Sequence, residues 1–503
     1  MITLESFKVL RKLSVSHIHI ESKKVKAAYR VENHSGETTS FELIYSYEYP
    51  YFNKKHPADV NLASMMLAQV ALNYGLFFEI IEFDGLYDKT DIQFIRDFME
   101  NTSREILTNK LLVKNEFLKP PFDDLKPERR DRYTQSQLIF SNTQFQHLKL
   151  NRENEETDQN KYAILSSGGK DSLLTYGMIK EIGEPYPVFI NEAGRHWFTA
   201  VNSHRYFKET EPNTKKPWCN SDRLFNWMLK QLPFIKENYA SIRADIYPVR
   251  LWTVAVFLFG VLPIARKKGI GNILIGDEYD TTVTGNVHGI THYSGLYDQS
   301  KYFDNAMTRY FRRKGWKINQ FSVLRSVSEL LIMKILLEGY PELQKHQISC
   351  HAAHEVNGRM YPCGKCEKCR RIIGMIKVLD GNPGRCGYSE AQIAYGLKAL
   401  EKNSVKQLGS DASQFYFLLL RKGLIRRNEF TAKVAKEHVE ITKLRFDKER
   451  SNLEDMPKYI RKPLFDILAK YSDGAVKRMN NRWVDIQVDE DFLNEVKYKI
   501  DEK

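Results

Sequence analysis

Residues 161–183, KYAILSSGGKDSLLTYGMIKEIG, decide how this chain is read. Apolar-rich residues Tyr162–Leu165 lead into a turn, Ser167-Gly168-Gly169-Lys170-Asp171-Ser172, and then into residues with helical spacing. A short buried strand, a tight turn and a helix form the unit from which parallel sheets are built. The chemistry follows from the placement. Glycine lets the backbone come close to an anion. Unpaired N–H groups at a helix start point at it, and the helix dipole adds attraction. Lys170 and the hydroxyls of Ser167 and Ser172 are expected to complete a polyphosphate cradle. Asp171 disfavours a bare phosphate, so it is expected to meet Mg²⁺ or to fix the loop. The spacing is neither G-x-x-x-x-G-K-[ST] nor G-x-G-x-x-G.

Outward from this unit the alternation continues. PVFIN (187–191), Asp245 to Val249 and NILIG (272–276) read as strands, and 251–268 as a buried helix. Strand–helix repetition predicts an α/β domain over 161–387 with a doubly wound parallel sheet. Gly276-Asp277-Glu278-Tyr279-Asp280 follows one of these strands, where such sheets bind ligands. Asp277, Glu278 or Asp280 could hold Mg²⁺ there. Residues 1–118 show alternating stretches at 14–31 and 38–49 and then helical spacing, which predicts a separate α+β module. Residues 119–160 read as linker and 388–503 as a mostly helical extension.

The whole chain has 503 residues, 42% of them hydrophobic and 28% charged, which excludes wholesale disorder and collagen-like sequence. Its net charge of +13 suits an anionic partner, whether nucleotide or nucleic acid. The longest apolar run, Leu251 to Ala265, falls short of the ~20 residues that span a bilayer. No membrane role and a cytoplasmic setting are therefore expected. Cysteine usage agrees, since four of the six cysteines fall within 20 residues. Cys350, Cys363, Cys366 and Cys369 form C-x12-C-x2-C-x2-C. Four thiolates around a tight turn suit a closed, structural Zn²⁺ site, with an iron–sulfur cluster as the alternative. His351 and His354 are substitute ligands.

The hexapeptide SGGKDS after an apolar strand resembles the PP-loop of the N-type ATP pyrophosphatases. That resemblance implies an adenine nucleotide alpha hydrolase-like fold. It assigns Ser167, Gly168, Gly169, Lys170, Asp171 and Ser172 to ATP phosphates and places the turn after PVFIN beside adenine. With the late cysteine cluster, the order of motifs is similar to the 7-cyano-7-deazaguanine synthases. It is also similar to the UDP-N-acetylmuramoyl-L-alanyl-L-glutamate epimerases, which carry a module ahead of the loop. Residues 324–330 (LRSVSEL) and Ser349-Cys350 contribute to the second likeness. The 388–503 extension departs from both families.

These resemblances imply an ATP-dependent enzyme that adenylates a small-molecule carboxylate and releases pyrophosphate, a ligase or an isomerase overall. Lys170, Asp171 and Arg325 are the expected catalytic residues, and Asp277 joins the nucleotide set. Arg325 and Glu329 are spaced for a helix-surface pair; alternatively Arg325 meets substrate oxyanions. Two other readings remain open. One is tRNA modification by a PP-loop enzyme, favoured by the basic charge. The other is a non-catalytic ATP-binding subunit of a defence or modification complex, acting on a protein or nucleic acid partner. No motif encodes the acceptor or an oligomeric state.

Overall fold

The computed structural model describes residues 2–141, 156–242, 247–251 and 254–501. The protein is α/β, with a mixed six-stranded sheet, an all-parallel four-stranded sheet and many helices. The mixed sheet begins with β1 (Leu10–Glu21), β2 (Lys24–Glu32) and β3 (Thr38–Ser46), paired antiparallel. Alternation in β2 turns Val25, Ala27, Tyr29 and Val31 inward. Next, β4 (Phe78–Phe83) runs parallel to β1, and β5 (Gln137–Phe140) parallel to β4. The 119–160 stretch is therefore not a free linker over its described part. A four-residue strand whose partner lies more than fifty residues away leaves no local signature.

The parallel sheet holds β6 (Asp158–Leu165) and β7 (Glu184–Val188). The chain then gives up β8 (Trp218–Cys219) to the edge of β3 before returning as β9 (Ile270–Leu274). A small hairpin, β10 (Gly285–Val287) and β11 (Ile290–His292), precedes β12 (Asn319–Phe321). The order is β12-β9-β6-β7. The expected helix at 251–268 spans Val254–Lys268, with residues 252–253 outside the described residues. Of the strand expected at Asp245 to Val249, the first two residues lie outside the described residues, and Tyr247, Pro248 and Val249 form no strand.

The N-terminal part is not a separate module. One apolar cluster runs from Leu4 to Ile318. The hydroxyls of Tyr45 and Tyr47 donate to the carbonyls of Val256 and Gly260 in the helix Val254–Lys268, at 3.1 and 2.8 Å. Lys314, fully buried, pairs with Asp88 and Asp91 at the start of the helix Lys89–Ile106. Alternation and helical spacing report which face of an element is buried, not which domain covers it.

Beyond the parallel sheet, the hairpin of β13 (His354–Val356) and β14 (Arg359–Tyr361) leads to the helix Glu367–Val378. Residues 388–503 are not simply helical. They include β15 (Leu444–Phe446), β16 (Ala475–Met479) and β17 (Arg482–Ile486) in one sheet. Leu444, Phe446, Leu464, Phe465 and Leu468 share a core with Tyr162, Ile164 and Leu173, so the extension buttresses the strand and helix that carry the glycine turn. Among the described residues, no helix is long and apolar enough to cross a membrane.

Candidate nucleotide site and cysteine cluster

From β6 the chain moves to one side for β7 and to the other for β9, so the carboxyl ends of β6 and β9 flank a topological switch point. The SGGKDS turn and the Ile275-Gly276-Asp277 turn leave those two strands. They touch: a Cβ on Gly276 would sit 2.9 Å from the backbone of Asp171. A cavity of about 540 Å³ opens there, lined by Ser167, Gly169, Asp171, Ser172, Gly276 and Asp277. Its size is that of a small-molecule site.

The turn is held from behind. The Ser167 carbonyl accepts from the Thr199 hydroxyl at 2.8 Å, and the Gly168 carbonyl from the Ile348 N–H at 3.1 Å. Gly168 has φ +75°, and a Cβ there would lie 2.3 Å from the Thr199 carbonyl oxygen. Gly169 differs. A Cβ on it would meet only the Ser167 hydroxyl, at 3.5 Å, and the residue caps the helix Lys170–Ile182 with extended backbone. Among the described residues, the amide N–H groups of Ser167, Gly168, Gly169, Lys170, Asp171 and Ser172 have no hydrogen-bond partner. Unpaired donors at a helix start, beside an open cavity, form an anion cradle.

The Lys170 side chain is not part of that cradle. It is 5% exposed and does not line the cavity. Its ammonium lies 2.7 Å from Asp171 Oδ1, 3.3 Å from Glu278 Oε2 and 3.3 Å from Glu329 Oε1. Glu329 in turn accepts from Arg371 at 2.8 Å and from Gln407 at 2.6 Å. Burial alone would push the lysine toward neutrality, but the three acids outweigh it and hold the ammonium charged. Burial pushes the Asp280 carboxyl, in the same acidic region, up to about 6, with Glu329 adding to it.

Arg325 does not form the expected helix-surface pair and does not line the cavity. It precedes the helix Glu329–Gly339 and does not pair with Glu329. Its guanidinium is buried against Asp304 and Asp277, and it donates to the Thr281 hydroxyl at 2.7 Å and the Gln299 carbonyl at 2.8 Å. Arg325 thus fixes Asp277 from behind. Asp277 is 3% exposed yet lines the cavity; burial raises its carboxyl pKa well above the usual carboxylate range, and Arg325 offsets this only in part. Among the described residues, Asp171 and Asp298 are the other carboxylates on the cavity wall. Of the residues around PVFIN, Ile190 lines the cavity and the turn from Asn191 to Gly194 does not.

The sequence reading missed the opposite wall. His196, Tyr247, Arg250, His351 and Lys368 line both this cavity and an adjoining one of about 580 Å³. The Tyr247 hydroxyl hydrogen-bonds His196 Nε2, and burial lowers the His196 pKa to about 4, with Arg250 adding to it. Arg250 stacks on Tyr247 with its guanidinium carbon 3.8 Å from the ring centre. The only hint in the sequence was a basic residue before an apolar run.

The cysteines converge as their spacing suggested. The four Sγ atoms of Cys350, Cys363, Cys366 and Cys369 lie within 4.8 Å of one another and could hold a metal ion such as zinc. Cys363 and Cys369 are 3.8 Å apart, Cys366 and Cys350 3.7 Å. A tetrahedron with bonds of about 2.3 Å has edges of about 3.8 Å. Hydrogen bonding within the cluster lowers the thiol pKa of Cys366 and Cys363 and raises those of Cys350 and Cys369. Thiolates are the form a metal binds. His354 stands exposed on β13 and His351 packs on His196 at 4.4 Å between ring centres, so the cysteines alone make the set. Comparison with family models, with curated proteins and with solved structures gives no match.

Proposed function

We propose that the protein is a PP-loop-type, AMP-forming enzyme that adenylates a carboxylate substrate with ATP and releases pyrophosphate. The observation that carries this reading is the row of unpartnered amides from Ser167 to Ser172 around an open Gly169, at the switch point of a parallel sheet. Those amides, with the Ser167 and Ser172 hydroxyls, would hold the outer phosphates of ATP. Ile190, Val254 and Phe257 supply an apolar wall for the adenine ring. Asp277, with Asp171 or Asp298, suits Mg²⁺, which takes one or two carboxylates and completes its shell with phosphate oxygens and water. When bound, that ion would offset charge on departing pyrophosphate.

A carboxylate is a poor electrophile, and transfer of AMP gives it a good leaving group. The chain's part is to fix the phosphates, orient Asp277 through Arg325, and leave the innermost phosphate open toward the second cavity. Lys170 acts indirectly, by holding Asp171 and Glu278 in place. Either outcome implied by the resemblances, epimerisation or nitrile formation, would begin with this step. The test is mass spectrometry of nucleotide products with a panel of carboxylic acids, comparing wild type with Gly169→Val. AMP and pyrophosphate that depend on one acid and vanish in the variant are expected. ADP and phosphate overturn the reading.

A further inference from the structure

Where the two cavities meet, positive charge is in excess. Arg250 is 5% exposed and has one acid, Asp222, at 2.7 Å. Lys110 is 7% exposed and lines the first cavity, and no described residue pairs with its ammonium. Burial and the charge of Arg250 lower its pKa to about 8. The two cations are held together by design of the backbone. Lys110 rides on the π-helical turn Leu107–Leu111, an irregularity that folds favour at functional sites. The Asn115 side-chain amide donates to the Lys110 carbonyl at 2.8 Å and to the Pro248 carbonyl, two residues before Arg250, at 2.9 Å. A buried ammonium that no described acid pairs with has lost hydration without gaining a partner among the described residues. A bound anion supplies one.

We propose that Lys110, on the wall of the first cavity, and Arg250, on the wall of both, form a second anion subsite, distinct from the glycine turn, that binds the acceptor acid. This rests on the adenylation reading. It also meets a need of that reaction, since a carboxylate approaching a polyphosphate is repelled unless cations offset the charge. The acceptor side of the cleft is then supplied partly by the N-terminal region, and the phosphate side by the parallel sheet.

The experiment is reductive methylation of the full chain with formaldehyde and a borane reductant near pH 8, read peptide by peptide by mass spectrometry. At that pH about half of the Lys110 amine is neutral, against well under about 1% of an ordinary lysine, so Lys110 is expected to react about tenfold faster than exposed lysines. Millimolar succinate, a dicarboxylate probe, is expected to slow Lys110 several-fold, and Mg²⁺ with a non-hydrolysable ATP analogue is not. Reaction no faster than exposed lysines, or indifference to succinate, overturns the subsite. Equal slowing by the nucleotide analogue alone overturns it too, by assigning Lys110 to the nucleotide. Thermal stabilisation by the analogue, followed in the same samples, reports the nucleotide reading separately. Its absence sinks that reading while the succinate arm still decides the subsite. Lys110→Met, which strands no buried acid, is expected to lose the succinate-induced rise in Tm and keep the nucleotide-induced one.

Discussion

Gly168 and Gly169 are neighbours with different reasons for being glycine. Gly168 is fixed by the fold, through its positive φ and the Thr199 carbonyl oxygen 2.3 Å from any Cβ. Gly169 is not: its backbone suits any residue, and a Cβ would enter open space. Gly169→Val is therefore expected to change stability by no more than about 1 kcal/mol. It should weaken ATP binding by about a hundredfold, because charge-assisted hydrogen bonds are lost together. Calorimetric titration beside urea denaturation checks both halves. Lys170 gives the reverse expectation. Lys170→Met strands Glu278, takes one cation from Asp171 and Glu329, and should cost about 3–5 kcal/mol of stability. A Lys170→Met protein of wild-type stability that fails only in turnover would return this lysine to the phosphates. Glu192, 2% exposed, has its carboxyl pushed up from 4.5 to about 7, mainly by burial. Its folded pKa is the higher one, so its contribution is fully present below pH 4.5 and is lost as pH rises through about 7. Glu192→Gln should flatten that slope and gain up to about 3 kcal/mol at alkaline pH, as read from denaturation midpoints across the range.

At the scale of elements, what was legible was local. β6, the SGGKDS turn and the helix Lys170–Ile182 follow one another without interruption, and every signal for them lies inside one window. β9 was legible for the same reason. β5, β8 and β15 were not, having two to four residues and partners far along the chain; Cys219, for instance, pairs with Tyr45. Nor could the sequence say where Lys170 points, since that depends on acids at 278 and 329 brought in by other elements. The C-terminal strands show how far such support extends. Arg445 on β15 donates to both oxygens of Asp411 at 3.1 and 3.0 Å and lies 3.8 Å over the ring of Tyr279, two residues beyond Asp277. Its N–H also donates to the Ser326 carbonyl, next to Arg325. Arg445→Met leaves Asp411 buried without its cation and is expected to cost about 3–5 kcal/mol. Combined with Asp411→Asn, the loss should fall well short of the sum of the two single losses, which a double-mutant cycle measures. Strict additivity would mean that Arg445 and Asp411 do not stabilise each other.

At the scale of the whole molecule, the cysteine cluster and the glycine turn are mechanically joined. Ile348, whose N–H holds the Gly168 carbonyl at 3.1 Å, lies two residues before Cys350. Cys366 and Lys368 form part of the wall of the second cavity. A metal on the four thiolates would therefore clamp the segment behind the glycine turn and the rim of the second cavity together. One zinc per chain is expected by elemental analysis, and none in Cys366→Ser. Removing it with a chelator should lower Tm, as for any structural site. It should also weaken binding of a non-hydrolysable ATP analogue about tenfold, the worth of one backbone hydrogen bond that no longer holds the turn. Readdition of zinc should restore both. Metal-free protein that stays folded and binds the analogue as tightly as before would show that the Ile348 contact does not depend on the cluster, and that the two centres are mechanically independent.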